Sequence, residues 1–270
     1  MIHKIHVEKF VRVTFYCYFC RMNNKWTIIV LSGVVLVLLA LLWWRAPVIG
    51  GSLTKQTIYL WVLDSWRGQT DTPKARVMLV DDDSEKGIFK IRRICDDLGI
   101  KAAFAVIPAR IKNALGDSLC QWQKEGFGIC LHGYDHNQWR EWSYDEIVED
   151  IRKSEESLSK SGFMIDRIKY VVPPHASNTH AIRKAVEDKG YQMIMGANIV
   201  NPDTEAFQLG RVSINKGTEL KKMETILRKA KKRQMFVILG THSSNSSEFS
   251  EEKTRGVLLM AKNMGFEFYH

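Results

Sequence analysis

Apolar and polar positions are spread unevenly along the 270-residue chain. Residues 26–44, WTIIVLSGVVLVLLALLWW, carry no charge and show no polar face. A helix of that length reaches ~28 Å, close to the ~30 Å hydrocarbon core of a bilayer. Trp26, Trp43 and Trp44 stand at its ends, where interfacial aromatics collect. The run is read as one transmembrane helix. It is longer than the ~7–15-residue apolar region of a signal peptide, and Arg45-Ala46-Pro47 follows it in place of a small-x-small cleavage site, so an uncleaved anchor is expected. Residues 1–25 are then a short cytoplasmic tail and 45–74 a stalk and lead-in. Five basic residues (Lys4, Lys9, Arg12, Arg21 and Lys25) against Glu8 give the tail a net +4, which predicts a single-pass membrane protein with its main domain outside the cytoplasm.

From residue 75 onward the pattern changes to short apolar segments alternating with amphipathic ones. Strands are predicted at 76–80, 102–107, 128–131, 168–172, 192–195, 235–239 and 266–269, and helices at 88–98, 119–125, 144–159, 181–189, 219–232 and 251–263. Ser143, three residues before Glu146, forms a capping box for the third helix, and Gly99, Gly162, Gly190 and Gly265 fall near helix ends. Strands alternating with helices predict one α/β domain over 75–270 with a mostly parallel sheet, either a barrel or an open doubly wound sheet. No G-x-G-x-x-G follows the first strand, which argues against a dinucleotide site.

Composition changes this picture little. A 45% hydrophobic and 26% charged chain is globular, and the net charge of +9 makes anionic surfaces plausible partners. The basic excess lacks interleaved aromatics, so no nucleic acid is expected. Cys17 and Cys20 form a C-x-x-C with no second ligand pair nearby, and a zinc or redox site is not expected there. Cys95, Cys120 and Cys130 sit in apolar stretches as small buried residues.

Chemistry in parallel α/β folds gathers at the carboxyl ends of strands, and four predicted strands run straight into polar residues there. The first ends in Asp81, Asp82 and Asp83. Three adjacent carboxylates repel one another unless a cation or water screens them; the alternative is a solvated loop with one Asp capping the next helix. The third strand leads to His132 and His136, whose i, i+4 spacing can place both imidazoles on one metal. The fourth leads to Pro173-Pro174-His175. The sixth leads to His242, a residue type that delivers a proton near neutral pH.

Together these residues resemble the polysaccharide deacetylases, the carbohydrate esterase 4 type of metal-dependent N-deacetylase, over residues 75–270. The family's Asp-Asp pair after the first strand has its counterpart within residues 81–83. Its His-x-x-x-His motif matches His132 and His136, its Pro-containing loop matches Pro173-Pro174, and its late strand ending in histidine matches residues 238–242. The resemblance implies a distorted (β/α) barrel preceded by the transmembrane helix, and a divalent metal, zinc, as cofactor. The implied activity is removal of acetyl groups from N-acetylated or O-acetylated sugars of a cell-envelope polysaccharide. One Asp would be the general base, and the next would join the two histidines on the metal. The family's Phe-Asp-Asp-Gly is here Val80-Asp81-Asp82-Asp83-Ser84. Keeping an apolar residue before the pair makes Asp81 the base and Asp82 the metal ligand with His132 and His136; a shift of one makes them Asp82 and Asp83. His242 would be the general acid, with Asp83, Pro174 and His175 as additional candidates. The Arg that often precedes the Pro loop is replaced by Tyr170, Val171 and Val172, so another cation serves or the base is tuned differently.

Two other functions fit the same residues: a carbohydrate-binding protein that has lost turnover, and a metal-dependent amidohydrolase with a non-sugar substrate. Trp139 and Trp142 follow the histidines and are expected to pack at the core or rim more than to stack on a sugar ring. On the topology predicted here, a reporter fused after His270 should be active only outside the cytoplasm. Activity confined to the cytoplasm would reverse the orientation.

Overall fold

The computed structural model describes residues 75–83, 85–111 and 114–270, all within the second of two compact units, Ile49–His270. The tail at 1–25, the run at 26–44 and the lead-in at 45–74 lie outside the described residues. Among the described residues no helix is long and apolar enough to cross a membrane.

Eight strands, all parallel where they pair in the sheet, build the domain: β1 (Arg76–Asp81), β2 (Ala103–Val106), β3 (Gly128–Leu131), β4 (Tyr170–Val171), β5 (Gln192–Met195), β6 (Gln208–Ser213), β7 (Phe236–Thr241) and β8 (Glu267–Phe268). Six helices accompany them: α1 (Ile88–Leu98), α2 (Ala114–Lys124), α3 (Tyr144–Lys160), α4 (His180–Asp188), α5 (Leu220–Lys232) and α6 (Glu251–Asn263). Strand β1 pairs along its length with β7 and at its last two residues with β2, which closes β1 to β7 into a ring. Strand β8 pairs with Arg76 and Val77, the first two residues of β1. Closure is therefore uneven, and the barrel is distorted in the sense expected. Between the neighbouring strands β5 and β6 the connection contains no helix.

Side chains alternate across each strand and define two apolar layers. Val77, Leu79, Phe104, Val106, Val237 and Leu239 point out and pack with helix residues such as Ile88, Ile91, Leu119 and Leu258. Met78, Val80, Ala105, Cys130, Leu209 and Ile238 form a second cluster that fills the ring. Extending the alternation past the strand ends places Asp82, His132, Arg211 and His242 on the inner side of one rim.

The helices match their predicted spans to within a few residues, apart from α2, which begins at Ala114 and not at 119. The capping box is present: the Ser143 amide donates to Glu146 Oε2 at 2.7 Å, and the Glu146 amide donates to Ser143 Oγ at 3.4 Å. Strand β6 was not predicted. Its sequence QLGRVS offers a glycine and an arginine where an apolar alternation would mark a strand.

Helix α3 also steadies the loop after β3. Buried Asp150 accepts the Tyr134 amide at 2.8 Å, and a Cβ on Gly133 (φ 71°) would come within 2.7 Å of Pro174 Cγ. Burial pushes the Asp150 carboxyl up to about 6, against the Tyr134 amide, which lowers it. A folded-state value above the ordinary 3.8 means the native state holds this proton more tightly. The resulting stabilisation is complete below the unfolded value and is lost as pH rises through about 6. Relative to Asp150→Asn, the wild-type domain should lose stability between about pH 4 and pH 6. Urea midpoints of both proteins across that range check this, and a constant difference would refute it.

Candidate active site

Asp81 ends β1 and Asp82 and Asp83 follow it, and their surroundings separate the three carboxylates. Asp81 is fully buried and turned to the outer side of the strand. Thr241 Oγ1 donates to its Oδ1 at 2.7 Å, the Ser243 amide donates to the same oxygen at 2.8 Å, and Ser243 Oγ makes a short bond to Oδ2. Burial without a facing cation pushes this carboxyl up to about 7, against the lowering effect of those three bonds.

Asp82 points into the ring and meets Arg211 and His242. Arg211 Nη1 donates to Oδ1 at 2.7 Å and Nη2 lies 2.6 Å from Oδ2, a two-pronged pair with both side chains buried. His242 Nε2 stands 3.3 Å from the same Oδ2. Burial works to raise the Asp82 carboxyl, but Arg211, then His132 and His242, outweigh it and hold the group well below the usual carboxylate range. The bond to Asp82 in turn raises His242, against its partial burial. Arg211 reaches Asp82 from β6 across β7 because Gly240 leaves room: a Cβ there would lie 2.9 Å from Arg211 Cδ.

Asp83 faces the histidines. Its Oδ1 lies 3.5 Å from His132 Nε2 and 3.3 Å from His136 Nε2. The three atoms fall within 4.8 Å of one another. These separations are long for charge-assisted hydrogen bonds but match the ligand–ligand edge of a tetrahedron with bonds near 2.0–2.1 Å, about 3.3 Å. Asp83 Oδ1 is also buried without a hydrogen-bond partner, so the donor set fits a divalent ion. The tautomer fits as well. His132 Nδ1 lies 2.6 Å from the Val172 carbonyl, which can only accept, so the proton is on Nδ1 and Nε2 is free to ligate. Burial, and then His132, push His136 down to about 4, which keeps its ring neutral.

The register expected from the sequence therefore does not match this geometry. Asp82, expected on the metal, pairs with Arg211 and His242. Asp81, expected as the base, bonds to Thr241 and Ser243. Asp83, held as an additional candidate, joins His132 and His136. The reason is alternation: Val80 faces the interior, so Asp82 faces it too and Asp81 faces away. His175 stands beside the group, its ring centroid 4.5 Å from that of His136, and Nε2 donates to the His136 carbonyl at 3.1 Å. Pro174 packs over Gly133. Trp139 is wholly buried and cannot stack on a sugar ring, while Trp142 packs half-buried against the core. Cys95, Cys120 and Cys130 are buried free thiols, as expected.

Arg211 was missed. It supplies the cation absent before the Pro loop, and its one sequence signal is a lone charge between apolar residues, Leu209-Gly210-Arg211-Val212.

A parallel α/β barrel whose rim holds an Asp–His–His group beside a buried Asp–Arg pair capped by a part-exposed histidine has the parts of a metal-assisted hydrolase. Residues 68–194 match the family model for polysaccharide deacetylase, a span that includes residues 81–83, His132, His136 and His175 and stops before Arg211 and His242. Three solved structures share the fold. The Xyl-CE4 domain of a multidomain xylanase from the hindgut metagenome of Trinervitermes trinervoides is 17% identical with a TM-score of 0.55, covering 73% of this chain and 87% of that one. A family 4 acetyl xylan esterase from Clostridium thermocellum, in complex with a cobalt ion, is 16% identical with a TM-score of 0.54 and coverage of 72% and 86%. The chitin deacetylase of the fungal pathogen Colletotrichum lindemuthianum is 17% identical with a TM-score of 0.54 and coverage of 73% and 85%. A search of the curated proteins finds no match. The chain is thus similar to the polysaccharide deacetylases over residues 68–194, and its barrel is the fold shared by these three structures.

Removing the guanidinium should expose the cost of a buried, unpaired carboxylate. Arg211→Met, which keeps much of the volume, should destabilise the domain by about 3–5 kcal/mol near neutral pH. Urea unfolding measures this, and a loss under about 1 kcal/mol would show that Asp82 does not depend on the pair.

Proposed function

We propose that the protein removes acetyl groups from N-acetylated or O-acetylated sugars of a cell-envelope polysaccharide, using a divalent ion, zinc, held by Asp83, His132 and His136. The observation that carries this reading is the adjacency of two differently tuned carboxylates, Asp82 in its Arg211–His242 setting and Asp83 in its two-histidine setting. A divalent ion at the second would act as a Lewis acid toward the acetyl carbonyl. Asp82, kept ionised by Arg211, accepts a proton from the water that attacks the acetyl carbon. Its depressed basicity is the cost of being charged at every working pH. His242, raised by the same carboxylate, then donates a proton to the departing sugar nitrogen or oxygen, so that acetate and a free amine or hydroxyl leave. The rim is open on the reacting side: the side chains of His242 and Asp83 are 38% and 23% exposed, whereas Asp82 is 1% exposed. We further propose that the charge-free run at 26–44 anchors the chain in a membrane with this rim outside the cytoplasm, where an envelope glycan is within reach.

The two carboxylates should fail differently. Asp83→Asn, like the His132→Ala, His136→Ala double variant, should lower bound metal and activity together. Asp82→Asn should retain metal while slowing acetate release by roughly 10²–10⁴-fold, the usual worth of positioned proton transfer. Elemental analysis and acetate assays on a panel of acetylated glycans separate the cases. Metal lost in Asp82→Asn but kept in Asp83→Asn would reverse the assignment.

A further inference from the structure

Asp81 has no part in the chemistry just described, yet it is wholly buried and its carboxylate accepts three hydrogen bonds. Those bonds come from Thr241 and Ser243, the two residues flanking His242. Thr241 ends β7, so the sheet ladder stops immediately before the imidazole. Beyond that point the outward-facing Asp81 takes over, gripping the backbone and hydroxyl of Ser243. Two further contacts lock the same loops together. The Glu85 amide donates to Ser244 Oγ at 3.2 Å, and Gly87 sits so close that a Cβ would come within 2.3 Å of the Ser243 carbonyl carbon. The loop bearing Asp82 and Asp83 is thus interlocked with the loop bearing His242.

We propose that Asp81 is a positioning residue for His242: by holding Thr241 and Ser243 on either side, it fixes the imidazole against Asp82. The inference rests on the reading above, in which His242 delivers the proton. It gives each Asp of the triplet a distinct task, and Asp81 acts through His242 without touching substrate.

The test uses the full chain with Ser243→Ala, Asp81→Ala and Asp81→Asn. Four quantities are read: bound zinc, kcat and KM for acetate release, the pH dependence of kcat, and the ¹⁵N resonances of the His242 ring, assigned by their disappearance in His242→Gln. Ser243→Ala and Asp81→Ala should keep zinc and KM at wild-type values while kcat falls roughly 10- to 100-fold, the scale of an ångström-level misplacement. The kcat–pH profile should shift and the His242 resonances should move toward those of an unconstrained imidazole. Asp81→Asn, which still offers an oxygen to Thr241 and the Ser243 amide, should recover most of the rate. Unchanged kcat and ring resonances in both alanine variants would overturn the proposal, as would loss of zinc in step with activity. Should Asp81→Ala fail to fold, Ser243→Ala decides alone, since it removes one hydroxyl. If wild type releases no acetate from any glycan, the deacetylase reading fails, and the ring resonances still decide whether Asp81 positions His242.

Discussion

A carboxylate that is to stay ionised inside a barrel needs a cation beside it, and the buried Asp82–Arg211 pair imposes that condition on the surrounding architecture. The cation must come from β6, two strands away, so β7 must be bare where the side chain crosses; Gly240 is that gap. Strand β6 must also hold its inward parity, with Leu209 and Arg211 on the same side, although Gly210 between them contributes no packing of its own. The strand survives because both edges are paired, to β5 through Met193–Met195 and to β7 through Ile238–Gly240.

Around this pair the rim is organised by division of labour between strand faces. Inward positions supply Asp82, Arg211, His132 and His242, while outward positions anchor the loops that present them. Backbone groups take part as well. The Val172 carbonyl fixes the His132 tautomer, and the same β4 end delivers the Pro loop that covers Gly133. His132 and Asp82 are therefore each oriented by a fixed neighbour, the Val172 carbonyl and the Arg211 guanidinium.

Much of this was legible in the sequence. The helices declare themselves through amphipathic spacing and caps such as Ser143–Glu146, and the two histidines and the late histidine stand out because each follows a strongly apolar strand. The order of the Asp triplet was harder. Weighing which residue precedes the pair favours Asp81 as base, whereas following alternation inward from Met78 and Val80 puts Asp82 in the barrel and Asp81 outside it. Strand β6 and Arg211 were the larger omission. A six-residue strand that carries its glycine and its one charge for the benefit of a partner on β1 looks, taken locally, like a connecting loop. Its identity as a strand is a tertiary fact, fixed by pairing on both edges and by a charge it neutralises 129 positions earlier.

Asp83 and His136 share one more property: both are non-glycine residues held at φ 69°, in the left-handed region. Side chains with a Cβ enter that region at a conformational cost, smaller for Asp and His than for branched residues. Two of the three proposed ligands are thus placed where the backbone alone would favour glycine or asparagine. Replacing either by glycine would relieve strain while discarding a ligand, so at these two positions loss of a ligand and gain of backbone stability point in the same mutational direction. In a barrel built this way, a glycine at either position would fold at least as readily as the present residue, so folding alone does not account for the carboxylate and the imidazole found there.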